Sequence, residues 1–271
     1  MSSNLPPDNT PTEKIVQFYF SDQSQLYGCY HDPVATLSST MVICQPIGHE
    51  YERCHRAMRQ LAVQAARKGA GVMRFDYYAT GDSAGDSSEL TLPRMQQDIQ
   101  QAVDECLVKS GRKELTLVGL RLGATLAARV ALNSTSVDLL VMYAPVFDGK
   151  RLFEEWQAEQ AAFAAKHSHQ ADQADEGEIL GFPVSGEFVQ ALDTGLVPEP
   201  GSTSLKRVLV LLDEADKHQE ALNRWLGVFE TQHIPVDVIT EENIAIWRRE
   251  PMDAIVPIKT IRRITKWVNG Q

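Results

Sequence analysis

Two glycines four residues apart, Gly119 and Gly123, flank Arg121 in "LTLVGLRLGATLAARVAL" (115–132). An apolar run precedes them and a run rich in small residues follows, the pattern of a strand that turns sharply into a helix. Such a turn presents a nucleophilic serine at its centre in many enzymes. It needs small residues at minus two and plus two because neighbouring backbone passes close. Arginine, always protonated, can act as neither nucleophile nor base. At a helix start it would add a forked cation to free N–H groups and the positive end of the helix dipole, an arrangement suited to carboxylate or phosphate. Two outcomes are open. Arg121 recognises an anionic ligand, or it is neutralised internally by Glu50 or an aspartate of "DYYATGDSAGD" (76–86), because an unpaired charge in a pocket is costly.

The elements that must position these groups alternate along the chain. "KIVQFYF" and "SQLYGCYH" form a hairpin across "SDQ", and "STMVICQP" is a compact strand ending at a loop. Cys54, Met58, Leu61, Ala62 and Ala65 then recur at helical spacing up to a glycine stop in "RKGAG". "GVMRFDYY" is the next strand, with Asp76 at its end, and His55 and Arg56 fall at the start of the preceding helix. "TLPRMQQDIQQAVDECLVKSG" is an amphipathic helix with Pro93 near its start and Gly111 as its stop. "ELTLVG", "VDLLVMYAP", "KRVLVLLDE" and "PVDVIT" complete the strands, with helical patterns at roughly 217–231 and 257–269. This alternation predicts an α/β fold: a mostly parallel sheet with helices on both faces. Residues 148–204 show no convincing strand and are expected to form a small helical cap between the sixth and seventh main strands. The predicted organisation is a disordered N-terminus (1–13), the first part of the core (14–147), the cap (148–204) and the second part of the core (205–271). In the cap, Trp156 and Phe163 either face the cleft as an apolar stripe or pack the cap onto the core. His167 and His169 sit in a polar tract and, two apart, share no helix face.

Ligands of parallel sheets bind at the carboxyl ends of the strands. That singles out "QPIGHEYE" (45–52), "DYYATGDSAGD" and "GLRLG" (119–123), with Gly48, His49, Glu50, Arg121 and Leu122 as candidate binding residues. The stretches "GHEYERCHRAMRQLA", "RFDYYATGDSAGD" and "LTLVGLRLGATLA" resemble the α/β-hydrolase superfamily. More narrowly they resemble the serine-aminopeptidase-like and exosortase A system-associated hydrolases. The resemblance covers about 40–270 in element order and 44–130 in specific motifs. It implies an α/β-hydrolase fold with a cap and an acyl-type substrate class, including carrier-borne thioesters. For His55, Arg56 and Asp76 it implies bracing of the ligand-side loops in preference to catalysis.

The resemblance also implies where the rest of a catalytic triad would stand. Its acid would follow "VLVLL", where Asp216 fits best and Asp213 second; its histidine would follow "VDVIT". The histidines are at 31, 49, 55, 167, 169, 218 and 233, so none lies in 234–271. With arginine at the turn and no histidine after the last strand, a standard Ser-His-Asp mechanism is rejected. A fallback would use Ser83 with His49 or His218 as base, although a serine in that loop more simply bonds the turn backbone. Cys44 beside His49 could be reactive, but a buried structural thiol is the preferred interpretation.

Composition narrows the partners. A net charge of −10 over 271 residues argues against nucleic acid or an anionic membrane surface. No apolar run approaches the roughly 18 residues of a membrane span. "MSSNLPPDNTPTEK" has no signal-peptide pattern, so the cytoplasm is the expected compartment. The four cysteines show no CxxC spacing, and neither metal nor disulfide framework nor cofactor is expected. Three functions remain open. The chain is a non-hydrolytic binder of an acyl-type or anionic small molecule, with an acyl carrier protein as one form of partner; an ester or thioester hydrolase or acyltransferase using unusual residues; or a structural or regulatory partner with a vestigial cleft.

Overall fold

A computed structural model describes residues 13–23, 25–166, 177–194, 196, 200–217, 219–242, 245–253 and 255–270. His167, His169 and His218 lie outside the described residues. The N-terminal hairpin is present, with β1 (Ile15–Phe20) antiparallel to β2 (Leu26–His31). Then follow β3 (Ser39–Cys44), α1 (Gly48–Arg67), β4 (Ala70–Phe75), α2 (Leu92–Ser110), β5 (Leu115–Leu120), α3 (Leu122–Ala131) and β6 (Val137–Tyr143). Between β6 and the next strand of the main sheet lie α4 (Gly149–Lys166), β7 (Glu178–Ile179), β8 (Phe182–Pro183) and α5 (Gly186–Asp193). The chain closes with β9 (Arg207–Leu212), α6 (Glu220–Thr231), β10 (Val236–Thr240) and α7 (Ile258–Val268).

The main sheet runs β1-β2-β4-β3-β5-β6-β9-β10, and every pairing from β4 to β10 is parallel. Side chains alternate between two faces along each strand. Val42, Leu117, Leu140 and Val208 pack with Met95 and Ile99 of α2, Leu126 of α3 and Trp225 of α6. Their sequence neighbours Ile43, Val118, Val141 and Leu209 pack with Met58 and Leu61 of α1 and Ile261 and Ile264 of α7. A sheet covered on both faces yields the near-continuous apolar strands seen in the sequence. Helix ends follow local chemistry: Thr91 accepts from the Arg94 N–H at the start of α2, and Gly111 ends that helix with a φ of 65°.

Two sequence-based expectations change. His55 and Arg56 are not at the start of α1, which begins at Gly48. Its first two turns bury His49, Glu50 and Arg53 through polar contacts, so apolar periodicity marks only the later turns. The 148–204 segment is not strand-free. Its hairpin turns through Leu180 (φ 50°) and Gly181 (φ 83°) between paired Ile179 and Phe182. Strands this short show no alternation, and leucine at the first left-handed position hides the usual Asn-Gly or Asp-Gly signal. Among the described residues, no helix is long and apolar enough to cross a membrane.

Candidate functional site

Arg121 stands between β5 and α3 with φ 54° and ψ −127°. A non-glycine residue held there stores about 1–3 kcal/mol of strain. Its N–H donates to the Tyr143 carbonyl (3.0 Å), tying the turn to the end of β6. The flanking glycines are sterically required. A Cβ on Gly119 would run into the Ala124 backbone, and one on Gly123 into the Gln45 and Cys44 carbonyls at the end of β3.

The Arg121 side chain is enclosed by acids. Its Nε donates to Glu50 Oε1 (3.0 Å) and its Nη2 to Glu155 Oε2 of α4 (2.9 Å). The Trp247 ring covers the guanidinium, with Cζ 4.4 Å from the ring centroid. Trp156 Nε1 also donates to Glu50 Oε1 (3.2 Å). Burial works against the Arg121 charge, but Glu50 and Glu155 outweigh it and hold the guanidinium's pKa above its ordinary value. Burial raises the Glu50 carboxyl above its usual range, against the pull of Arg121 and the Trp156 hydrogen bond.

The ion pairs extend to Asp216. Glu155 reaches Arg151 (3.5 Å) and Arg248 (3.6 Å), and Arg151 Nη2 donates to Asp216 Oδ1 (3.3 Å). Asp216 also accepts from Gln219 Nε2, while Asp213 caps the short turn with its carboxylate on the Ala215 N–H. A second link joins α4 to α1, where Arg53 meets Glu159 and His49 Nε2 lies 3.6 Å from the same carboxylate. Burial foremost, then Arg53 and Arg121, push His49 down to about 4, so its imidazole is neutral at physiological pH. Ser83 is tied to backbone: its hydroxyl donates to the Asp76 carbonyl (2.7 Å) and accepts from the Tyr27 N–H (2.9 Å). Asp76 accepts from Tyr51 (2.9 Å) and the Asp82 N–H (3.1 Å), and the Tyr51 ring rests against His55. Cys44 is fully buried and burial pushes its thiol up, so it is not poised as a thiolate.

Beside this network lies a cavity of about 460 Å³, within the size range of small-molecule sites. Gly48, His49, Asp76 and Ser83 line it, and Phe182 and Phe188 bring hairpin and α5 side chains to its wall. Trp156 is the partition, with its ring on the cavity and its N–H on Glu50. Of the expected binding residues, Glu50 and Leu122 are buried and do not line this cavity. Arg121 does not line it either and borders a neighbouring void of about 30 Å³. Trp156 and Phe163 do not form one stripe. Phe163 is 41% exposed and borders a separate depression with Arg53 and Arg248.

Glu155, Glu159, Arg53 and Trp247 were not singled out in the sequence. The i,i+4 series Arg151, Glu155, Glu159 on α4 was a readable signal of a charged helix face; nothing local pointed to Trp247. Among the described residues, no group of three or more His, Cys, Asp or Glu side chains is placed to hold a metal.

Residues 38–180, more than half the chain, match the profile of the serine aminopeptidase S33 family. No curated protein sequence matches. Similar solved structures include DcsB in complex with its substrate analogue, at 14% identity and a TM-score of 0.63, covering 96% of this chain and 99% of that one. The Pyrococcus furiosus esterase Pf2001 aligns at 14% identity and a TM-score of 0.62, over 100% of this chain and 95% of that one. The bottromycin epimerase BotH in complex with bottromycin A2 aligns at 15% identity and a TM-score of 0.60, over 94% and 99%. At these identities the likeness is one of fold.

Proposed function

The chain belongs to the serine aminopeptidase S33 family and has the α/β-hydrolase fold, and on that premise we propose that it binds an acyl-type small molecule without hydrolysing it by a Ser-His-Asp mechanism. One observation carries this proposal: at the strand-to-helix turn where hydrolases of this fold raise their nucleophile, Arg121 is locked between Glu50 and Glu155. Asp216, which the resemblance sets at the acid position, is engaged by Arg151 and Gln219. An ion network occupies the seats of a triad. The fold does not argue against this, since its neighbours here include both an esterase and an epimerase.

The cavity supports binding because it is roomy, walled in large part by aromatic and aliphatic side chains, and bordered by Gln45, against whose carbonyl Gly123 of the turn packs. An anionic ligand on Arg121 is disfavoured, because two carboxylates and the Trp247 ring already meet its guanidinium. A hydrolase built on Ser83 is disfavoured because both its donor and an acceptor site are committed to backbone.

The test combines turnover with binding. Purified protein should hydrolyse p-nitrophenyl acyl esters no faster than a denatured control and take no label from a fluorophosphonate probe. It should still bind a fluorescent acyl probe, and Val184→Trp, which narrows the cavity, should weaken that binding. Arg121→Ser alone should not create an efficient esterase. Stoichiometric labelling of a serine that requires the folded protein would overturn the proposal.

A further inference from the structure

The cavity wall has a one-sided charge. Asp76 and Asp86 line it, and among the described residues no lysine or arginine does. Arginines lie behind the wall: Arg53 pairs with Glu159 and Arg121 with Glu50 and Glu155, while Arg74, bonded to His31, and Arg59 line a separate depression on the other side of Gln45, Tyr51, Phe75 and Asp76. His49, which also lines the wall, is neutral at physiological pH. Among the described residues, six aromatic side chains share the wall: Tyr51, Phe75, Tyr77, Trp156, Phe182 and Phe188.

Gln45 adds an independent observation. It is 2% exposed, and its Nε2 donates to the Phe75 carbonyl (3.1 Å), which fixes the orientation of the amide. Its Oε1 is therefore an acceptor, and among the described residues it is buried with no hydrogen-bond partner. A buried acceptor left unmet is destabilising by about 1–3 kcal/mol, so a donor arriving with a ligand would be favoured. Asp76 has spare capacity as well. Its two oxygens accept from Tyr51 and the Asp82 N–H, and a carboxylate can accept about four bonds. The wall supplies acceptors, negative charge and π faces. A ligand carboxylate would meet two like charges and, among the described lining residues, no cation; Arg74 acts on Asp76 only from the far side of the wall.

We propose that the molecule held in this cavity carries a protonated amine on an apolar body, the ammonium facing the Gln45 and Asp76 acceptors and the body lying on the aromatic wall. This rests on the reading that the cavity binds a small molecule and names the head group that it selects. Cations attract both carboxylates and aromatic faces, and both become stronger as water is excluded.

A matched series with one body and three heads tests it: 4-phenylbutylamine, 4-phenylbutanol and 4-phenylbutyrate, titrated calorimetrically at pH 7 into the full chain. The amine should bind on the order of tenfold tighter than the alcohol, with the carboxylate weakest. Asp76→Asn should erase the amine's advantage while leaving alcohol binding in place. Because Asp76 also braces Tyr51 and the Asp82 loop, Asp86→Asn and Gln45→Leu provide milder variants, each expected to narrow the gap between amine and alcohol. Val184→Trp should weaken all three ligands together. If the alcohol or the carboxylate binds as tightly as the amine, and Val184→Trp weakens that binding, the amine assignment fails and the small-molecule reading survives. If no ligand binds, or Val184→Trp changes nothing, both fail.

Discussion

Arg121 combines a left-handed backbone with a buried charge, and each is tolerated only because its surroundings are fixed. The backbone is held by the Tyr143 carbonyl and the two close-packed glycines; the charge is held by Glu50 and Glu155. Removing one partner of a buried pair leaves the other uncompensated, a loss of about 3–5 kcal/mol. Arg121→Met should therefore lower the unfolding free energy by that order in urea denaturation. Adding Glu50→Gln removes the stranded charge yet keeps an oxygen for Trp156 Nε1, so the double variant should be more stable than Arg121→Met alone. Arg121→Lys should fall between wild type and Met, since one ammonium cannot reproduce the fork that spans two carboxylates. If Arg121→Met unfolds at the wild-type urea concentration, the network contributes no stability.

At the scale of elements, the turn between β5 and α3 is the most constrained junction. Gly123 faces the Gln45 and Cys44 carbonyls, which are backbone atoms of a central strand end and cannot swing aside. Gly123→Ala should cost about 3 kcal/mol, the upper end of ordinary overpacking, measured by chemical denaturation. An equal substitution at Gly227 of α6, where a Cβ meets nothing within 4 Å, should be neutral or stabilising. Equal stability for the two variants would refute the close-approach explanation of the glycine pair. These glycines were legible in the sequence because the pattern is local: strand, glycine, centre, glycine, small-residue helix. The same holds for the sheet, whose buried strands are continuous apolar runs, and for α2, whose proline and glycine mark both ends. What the sequence hid is non-local. Glu155 and Trp247 reach Arg121 from α4 and from the loop after β10, and no spacing in the chain encodes that meeting. The start of α1 was hidden for a related reason, because its first turns are buried by charge partners and not by apolar contacts.

At the scale of the whole molecule, burial of His31 and His49 disfavours their protonation, and that makes stability depend on pH. His31 is fully buried and His49 is 5% exposed; burial is the main cause that lowers both from an ordinary value of 6.5, His49 to about 4. Below pH 6.5 the unfolded chain takes up a proton that folded His49 refuses, so acid favours the unfolded state. The contribution of His49 is complete above pH 6.5 and is lost as pH falls toward 4, at up to about 1.4 kcal/mol per pH unit. Glu50, Asp76 and Asp98 act in the opposite sense. Burial raises each of them, so the folded state gains protons first and their terms favour it on acidification. The net slope of wild type thus mixes both signs, but comparison with a variant isolates one group. His49→Phe keeps a ring against Trp156, where the two rings now meet edge to face at 5.9 Å, and removes the titration. Urea denaturation between pH 7 and pH 4 should show wild type losing stability more steeply than His49→Phe, with the two curves converging as pH falls. Effects of overall charge are common to both proteins and cancel in the difference. Parallel curves across that range would mean that His49 titrates alike in the folded and unfolded chains, and that its burial in the cavity wall does not hold it neutral.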